Sequence, residues 1–245
     1  MKPENQYDDQ AFFDQYAKMA RSQHGLEGAG EWETLQSNLP DFKNKKKVLD
    51  LGCGYGWHCK YAVQQGAKEV VGIDASKKMI EKAEAVNHDS KITYLVDLID
   101  EYSMEPNTYD VILSSLVIHY IEDIESLFKK VSKALTHNGE FIFSVEHPIF
   151  TAHGSQDWIY KDGEIEHFPV DHYFVEGERN THFLGSEIKK YHHTLTSYFA
   201  ALKNNQFIIE NIVEPIPPQH MMNIDGMKDE LRRPMMIIFK AKKIN

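Results

Sequence analysis

The spacing of apolar and polar positions changes several times along the chain. Residues 11–23 (AFFDQYAKMARSQ) and 31–38 (EWETLQSN) carry apolar side chains at helical spacing, which predicts an amphipathic N-terminal pair of helices. Pro40 and the lysine-rich run at 43–47 (KNKKK) close that region, the lysines reading as a solvated turn before a buried strand. The period then shortens. KVLDLG reads as an apolar strand ending in glycine, and WHCKYAVQQG as a helix stopped by Gly66. EVVGID reads as a strand, SKKMIEKAEAV as a helix with Ser76 as N-cap, and KITYLV as a third strand. YDVILSSLVIHY gives a fourth strand, DIESLFKKVSKAL a helix, and NGEFIFSVEHP a fifth strand stopped by Pro148.

Strict alternation of strand and helix predicts a parallel sheet with helices on both faces. VILSSLV, apolar on both sides, suits a strand buried in such a sheet. From 148 to 190 the pattern lapses into a segment rich in Gly, His and aromatics, read as an insertion. A short strand (IKKYHHTL), a helix (TSYFAALKNN) and two strands (FIIENIVEP, PMMIIFKAKK) follow. No crossover helix is evident between the last two strands. They are therefore expected to pair antiparallel, the last slotting back into the sheet. The whole is expected to be one domain over 1–245, with a helical cap at 1–46 and the insertion at 148–190.

Composition narrows the class. The 245 residues are 42% hydrophobic, with 13 Phe, 12 Tyr and 3 Trp, enough to fill the core of one decorated domain. A formal charge of −10 lacks the basic footprint that phosphate backbones demand, so no nucleic-acid partner is expected. The two cysteines, Cys53 and Cys59, fall in one short segment, which excludes a disulfide framework and fits a reducing cytoplasm. Neither an apolar signal region nor a run near the ~20 residues of a membrane span occurs. Despite 13 histidines there is no Cys-x-x-Cys or His-Glu-x-x-His pattern, so no metal is expected. Oligomeric state is not legible.

The chemistry concentrates where the first strand hands over to the first helix, at Asp50-Leu51-Gly52-Cys53-Gly54-Tyr55-Gly56. Glycines there permit a sharp turn and close ligand approach, and the helix N-terminus offers unpaired N–H groups. Asp74 ends the second strand, 18 residues past Gly56, where a carboxylate can accept from both hydroxyls of a ribose. Asp97 ends the third strand. In order and spacing, VLDLGCGYG, VVGIDAS, ITYLVD and YDVILSSLVIHY resemble the successive signatures of class I S-adenosylmethionine-dependent methyltransferases, from about 46 to 147. That resemblance implies a Rossmann-like fold, a mostly parallel seven-stranded sheet with a reversed last strand, and S-adenosylmethionine as cofactor. By it, Asp50, Gly52 and Gly54 would hold the methionine moiety, Asp74 the ribose, and Asp97 with Leu98 the adenine, with Ala75 and Met79 also cofactor-binding. Ser114 and Leu116 would face the sulfonium, and Tyr16 and Arg21 would close over the cofactor, the arginine reaching its carboxylate.

Acceptor-side groups in open α/β sheets come from the carboxyl ends of strands, which here offer His119, Tyr120, Glu146 and His147. His119, or Glu146 with His147, could act as a base, Tyr120 could contact the acceptor, and Arg179 in the insertion could pair with an acceptor carboxylate. Alternatively, these histidines are packed residues and the insertion's aromatics fill its own core. Strand four lacks the Asn/Asp-Pro-Pro-aromatic signature, and both cysteines belong to the glycine loop, which leaves a small-molecule oxygen, nitrogen or carbon acceptor. A nicotinamide dehydrogenase would need G-x-G-x-x-G, whereas Trp57 follows Gly56 here. A catalytically inactive cofactor-binding sensor or partner subunit is the other alternative.

Overall fold

The computed structural model describes residues 5–44 and 47–244; Lys45 and Lys46 of the lysine run lie outside the described residues. The N-terminal pattern resolves into three short helices, α1 (Gln10–Tyr16), α2 (Ala20–His24) and α3 (Trp32–Asn38). The single helix expected over 11–23 breaks at Met19, whose extended backbone (φ −63, ψ 146) starts α2 afresh. Asp9 caps α1 by accepting from the Phe12 N–H.

The alternating series follows as β1 (Lys47–Leu51), α4 (Trp57–Gln64), β2 (Glu69–Asp74), α5 (Lys77–Val86), β3 (Ile92–Val96), β4 (Tyr109–Ser115), α6 (Ile124–Ala134) and β5 (Leu135–Glu146). Ser76 caps α5 by accepting from the Met79 N–H. The 148–190 stretch is not structureless. It forms a short helix α7 (Pro148–Thr151) and two antiparallel hairpins, β6 (Ile159–Lys161) with β7 (Glu164–His167), and β8 (Gly177–Phe183) with β9 (Ser186–His192). The strand expected at IKKYHHTL is β9, paired to β8 and outside the main sheet. Only one of its faces is buried, with Ile188, Lys190 and His192 inward and the charged Glu187 and Lys189 outward. Then come α8 (Leu195–Asn204), β10 (Phe207–Val213) and β11 (Met236–Lys243).

The main sheet has seven strands in the order β10-β11-β5-β4-β1-β2-β3. β11 runs antiparallel to both of its neighbours, and the other pairings are parallel. Alternation along each strand feeds two cores. Leu49, Leu51, Ile112, Phe141, Phe143 and Phe239 face α6 and α8. Val48, Val70, Val111, Ile142 and Ile238 face the side covered by α3 and α4. Each such side chain contributes about 1.5–3 kcal/mol on burial. β1 is flanked by β2 and β4, so the strand order reverses there and a crevice opens beyond the carboxyl ends of these strands.

Candidate active site

Three glycines shape the floor of that crevice. Gly52, Gly54 and Gly56 have φ of 75°, 52° and 76°, a region that favours glycine. A Cβ on Gly52 would lie 2.3 Å from Val117 Cγ2, and one on Gly56 would lie 2.2 Å from the Tyr94 hydroxyl. Gly54 differs, because a Cβ there would meet nothing within 4 Å and would project into the crevice. Asp74 holds this loop. One carboxylate oxygen accepts the Gly54 N–H at 2.9 Å, and the other accepts the Ser76 N–H at 2.9 Å. Burial pushes its pKa up to about 6 even though both N–H groups favour the anion.

Two cavities adjoin these elements, one at the glycine loop and one at Ala75. One of about 70 Å³ is lined by Tyr16, Arg21, Glu31, Gly52, Gly54 and Ser115, among others. The other, about 690 Å³, lies between the N-terminal segment at 5–10 and Ala75, Lys78, Asp97 and Leu98. The structure thus gathers Tyr16, Arg21, Gly52 and Gly54 on one wall, and Ala75, Asp97 and Leu98 on another. Other expected residues sit back from both walls. Asp50 is 1% exposed, takes the Cys59 thiol at 3.3 Å, and burial raises it to about 7. Met79 is buried in α5. Ser114 points back to donate to the Leu51 carbonyl at 2.9 Å, so strand alternation gives Ser115 the wall position expected of Ser114. Leu116 adopts φ 57° and donates its N–H to the Ser144 carbonyl at 2.9 Å, a strained turn that ends β4.

Beyond β4 and β5 the site is polar and largely buried. His119 is 2% exposed, and its Nδ1 accepts the Glu146 N–H at 3.3 Å. Burial lowers its pKa to about 4, with Glu146 opposing and Lys190 adding to the drop. Glu146 receives Lys190 Nζ at 2.6 Å on one oxygen and Gln156 Nε2 at 2.6 Å on the other. Burial would raise Glu146, but the facing His119 and Lys190 and these two hydrogen bonds outweigh it and hold the carboxyl below its usual range. Because His119 is neutral above about pH 4, the lasting cation beside Glu146 is Lys190. Tyr120 and Tyr7 share a hydrogen bond at 3.0 Å, and the Tyr7 ring meets Tyr16 edge-on at 5.6 Å. Burial pushes all three phenols upward, so they remain protonated.

Two expected acceptor-side residues are used elsewhere. His147 is 1% exposed, caps α7 by accepting the Ile149 N–H, and lies 2.9 Å from Glu214. Arg179 donates to the carbonyls of Ala152, Glu178, His172 and Val175, which makes it a staple of the insertion's loops. Tyr7, Glu31, Ser115 and Lys190 stand at the site without having been picked from the sequence. For Lys190 a signal existed, since it shares the buried face of β9 with Ile188 and His192. Among the described residues no group of three or more His, Cys, Asp or Glu is poised to hold a metal, and no helix is long and apolar enough to cross a membrane.

The residues present fit a nucleoside joined to an amino acid. Gly54 leaves open space, and the buried, partnerless polar atoms of Ser22, Tyr55 and Trp57 line the smaller cavity beside it. Comparisons with known proteins agree. The family described as "Methyltransferase domain" matches residues 49–143. A Listeria monocytogenes crystal structure assigned as an S-adenosylmethionine-dependent methyltransferase is 47% identical, with a TM-score of 0.85, over 90% of this chain and 100% of its own. An S-adenosylmethionine-dependent methyltransferase from Mesorhizobium loti is 37% identical, with a TM-score of 0.82, over 89% of this chain and 100% of its own. A Haemophilus influenzae protein described as uncharacterized is 33% identical over 97% of this chain and 96% of its own.

Proposed function

The chain belongs to the S-adenosylmethionine-dependent methyltransferases, and from that premise we propose that it methylates a small molecule whose nucleophilic atom needs no deprotonation by the protein. The cofactor, when bound, supplies a methyl group on a sulfonium, an electrophile that needs no further activation. What is left to the protein is alignment and the exclusion of water. The pairing of the acceptor-side groups carries the reading. His119 Nδ1 is taken by the Glu146 N–H, so its proton sits on Nε2 and the ring is a hydrogen-bond donor. Glu146 is held by Lys190 and Gln156, and the phenols of Tyr7, Tyr16 and Tyr120 stay protonated. These groups can orient an acceptor, but none is a free base. An amine in its neutral form, a carboxylate, an already ionised acidic hydroxyl or a stabilised carbanion suits them, so the acceptor atom is oxygen, nitrogen or carbon of that electronic kind.

Support for a small acceptor comes from enclosure and charge. The N-terminal segment and the β8–β9 hairpin meet over the site through Gln6 with Ser186 and Phe12 with Phe183. A net charge of −10 disfavours phosphate backbones. In this reading residues 148–190 serve as the lid of a single domain, and the compartment is a reducing cytoplasm in keeping with buried, free Cys53 and Cys59. The test is a screen with methyl-labelled S-adenosylmethionine against fractionated metabolites and, separately, bulk tRNA. Label in a small product with release of S-adenosylhomocysteine is expected. Label in tRNA alone would sink the small-acceptor reading.

A further inference from the structure

Among the described residues, five buried side-chain atoms lack a hydrogen-bond partner: Ser22 Oγ, Tyr55 Oη, Trp57 Nε1, His147 Nε2 and Arg233 Nε. The last two belong to side chains already beside an anion, Glu214 and Glu230. The first three all line the smaller cavity, next to Gly52 and Gly54. An orphaned buried polar group is costly, so three of them around one void point to a ligand that satisfies them. The same cavity wall carries an ion pair in which Glu31 is buried and Arg21 is 24% exposed. Arg21 Nη2 lies 2.9 and 3.0 Å from the two oxygens of Glu31, whose side chain is 3% exposed. Buried pairs contribute little net stability, so this one calls for a purpose other than holding the fold. One anion, one cation and neutral donors around a void are the complement of a zwitterion.

We infer that Glu31, Ser22 and Trp57 complete, with Arg21, a reader of the cofactor's amino-acid end. Glu31 takes the α-ammonium, and Arg21 with Ser22 Oγ and Trp57 Nε1 takes the α-carboxylate. The Arg21–Glu31 pair is the resting form of this reader. When the ligand enters, each buried charge exchanges one opposite partner for another, and no ion is left stranded. Tyr55 Oη borders the same void and can serve either end. The inference rests on the methyltransferase reading and deepens it.

The test is calorimetry on the full chain with four nucleosides. They are S-adenosylhomocysteine, its analogue lacking the amino group, its analogue lacking the carboxylate, and 5′-methylthioadenosine, which lacks both. Wild type should prefer S-adenosylhomocysteine to each of the others. Glu31→Gln should cut the preference for S-adenosylhomocysteine over the deaminated analogue by about 10- to 100-fold, the worth of a charged hydrogen bond. It should leave methylthioadenosine within about twofold. Ser22→Ala and Trp57→Phe should instead erode the preference over the decarboxylated analogue. If Glu31→Gln is poorly folded by circular dichroism, Glu31→Asp, which keeps the charge but shortens the reach, should erode the same preference. An unchanged preference in the folded variants overturns the reader and leaves Glu31 as a strut for Arg21. Wild-type binding of methylthioadenosine as tight as S-adenosylhomocysteine overturns it as well. Failure of wild type to bind any of the four would count against the methyltransferase reading itself.

Discussion

Burial moves two titrating residues of the crevice in opposite directions, and both shifts have measurable consequences. Asp74 titrates at about 6 in the ligand-free form, raised above the usual carboxylate value. As pH falls through that value it gains a proton, and a protonated carboxyl has fewer acceptor lone pairs for ribose hydroxyls. S-adenosylhomocysteine affinity should therefore be flat above about pH 7 and weaken below about pH 6, by at most tenfold per unit. Asp74→Asn should bind weakly at every pH and flatten the profile. A flat wild-type profile would show that Asp74 is not the ribose ligand. His119 is lowered instead and is neutral above about pH 4, so it should contribute no inflection to kcat/KM near neutrality. His119→Gln keeps a donor near the Nε2 position and should stay within about threefold of wild type, whereas His119→Ala should raise the acceptor KM by roughly tenfold. An inflection near neutrality that vanishes in His119→Gln would restore the histidine as a base. At this scale the glycine loop and Asp74 were legible, because a strand end, a turn and a helix start fix them locally. Glu31, Ser22 and Tyr7 were not, because they reach the crevice only through the packing of separate short helices. Arg179 was misread because charge alone does not say that backbone carbonyls will use it.

The elements divide in the same way. The alternating series and the antiparallel return of β11 follow from hydrophobic period and from the missing crossover helix between residues 213 and 236. The β6–β7 hairpin and strand β8 were not legible, because β6 and β7 are short and exposed and β8 buries only Thr181, and a polar pair ties β9 to the main sheet. Lys190 on β9 reaches across to Glu146 at the end of β5, at 2.6 Å, with side-chain exposures of 3% and 15%. The ammonium also lies 5.5 Å from the Phe183 ring centroid and 6.0 Å from that of Tyr120. Removing one partner of such a pair strands a buried charge, so Lys190→Met should lower stability by about 3–5 kcal/mol in denaturant titration. Glu146→Gln together with Lys190→Met should recover much of that loss, because neither charge is then left alone. A double variant no more stable than Lys190→Met would mean that the lysine acts through its packing.

At the scale of the whole molecule, the crevice between sheet and N-terminal segment is shut by contacts from three directions. Asp8 accepts from Ser76 Oγ at 2.7 Å and from the Lys78 N–H at 3.1 Å, which fastens the segment to the start of α5. Tyr7 meets Tyr120 beyond β4, and Gln6 meets Ser186 on the β8–β9 hairpin. Tyr16 lines the smaller cavity and Asn5, Gln6, Asp8, Asp9 and Gln10 line the larger, so this segment is expected to lift when a nucleoside-sized cofactor exchanges. Apart from the buried Phe12, which packs on Tyr7 and Phe183, these contacts are polar, and a short segment held this way opens locally before global unfolding. Hydrogen exchange should therefore find the amides of α1 opening sub-globally in the ligand-free protein and protected at least about tenfold on addition of saturating S-adenosylhomocysteine. Asp8→Ala removes the fastening without touching the floor of the crevice. It should speed exchange in α1 and raise the cofactor dissociation rate several-fold, with the sheet amides unchanged. Protection of α1 that is already at the level of the sheet, and indifferent to both ligand and Asp8→Ala, would mean that the segment is a fixed wall and that the cofactor enters by another route.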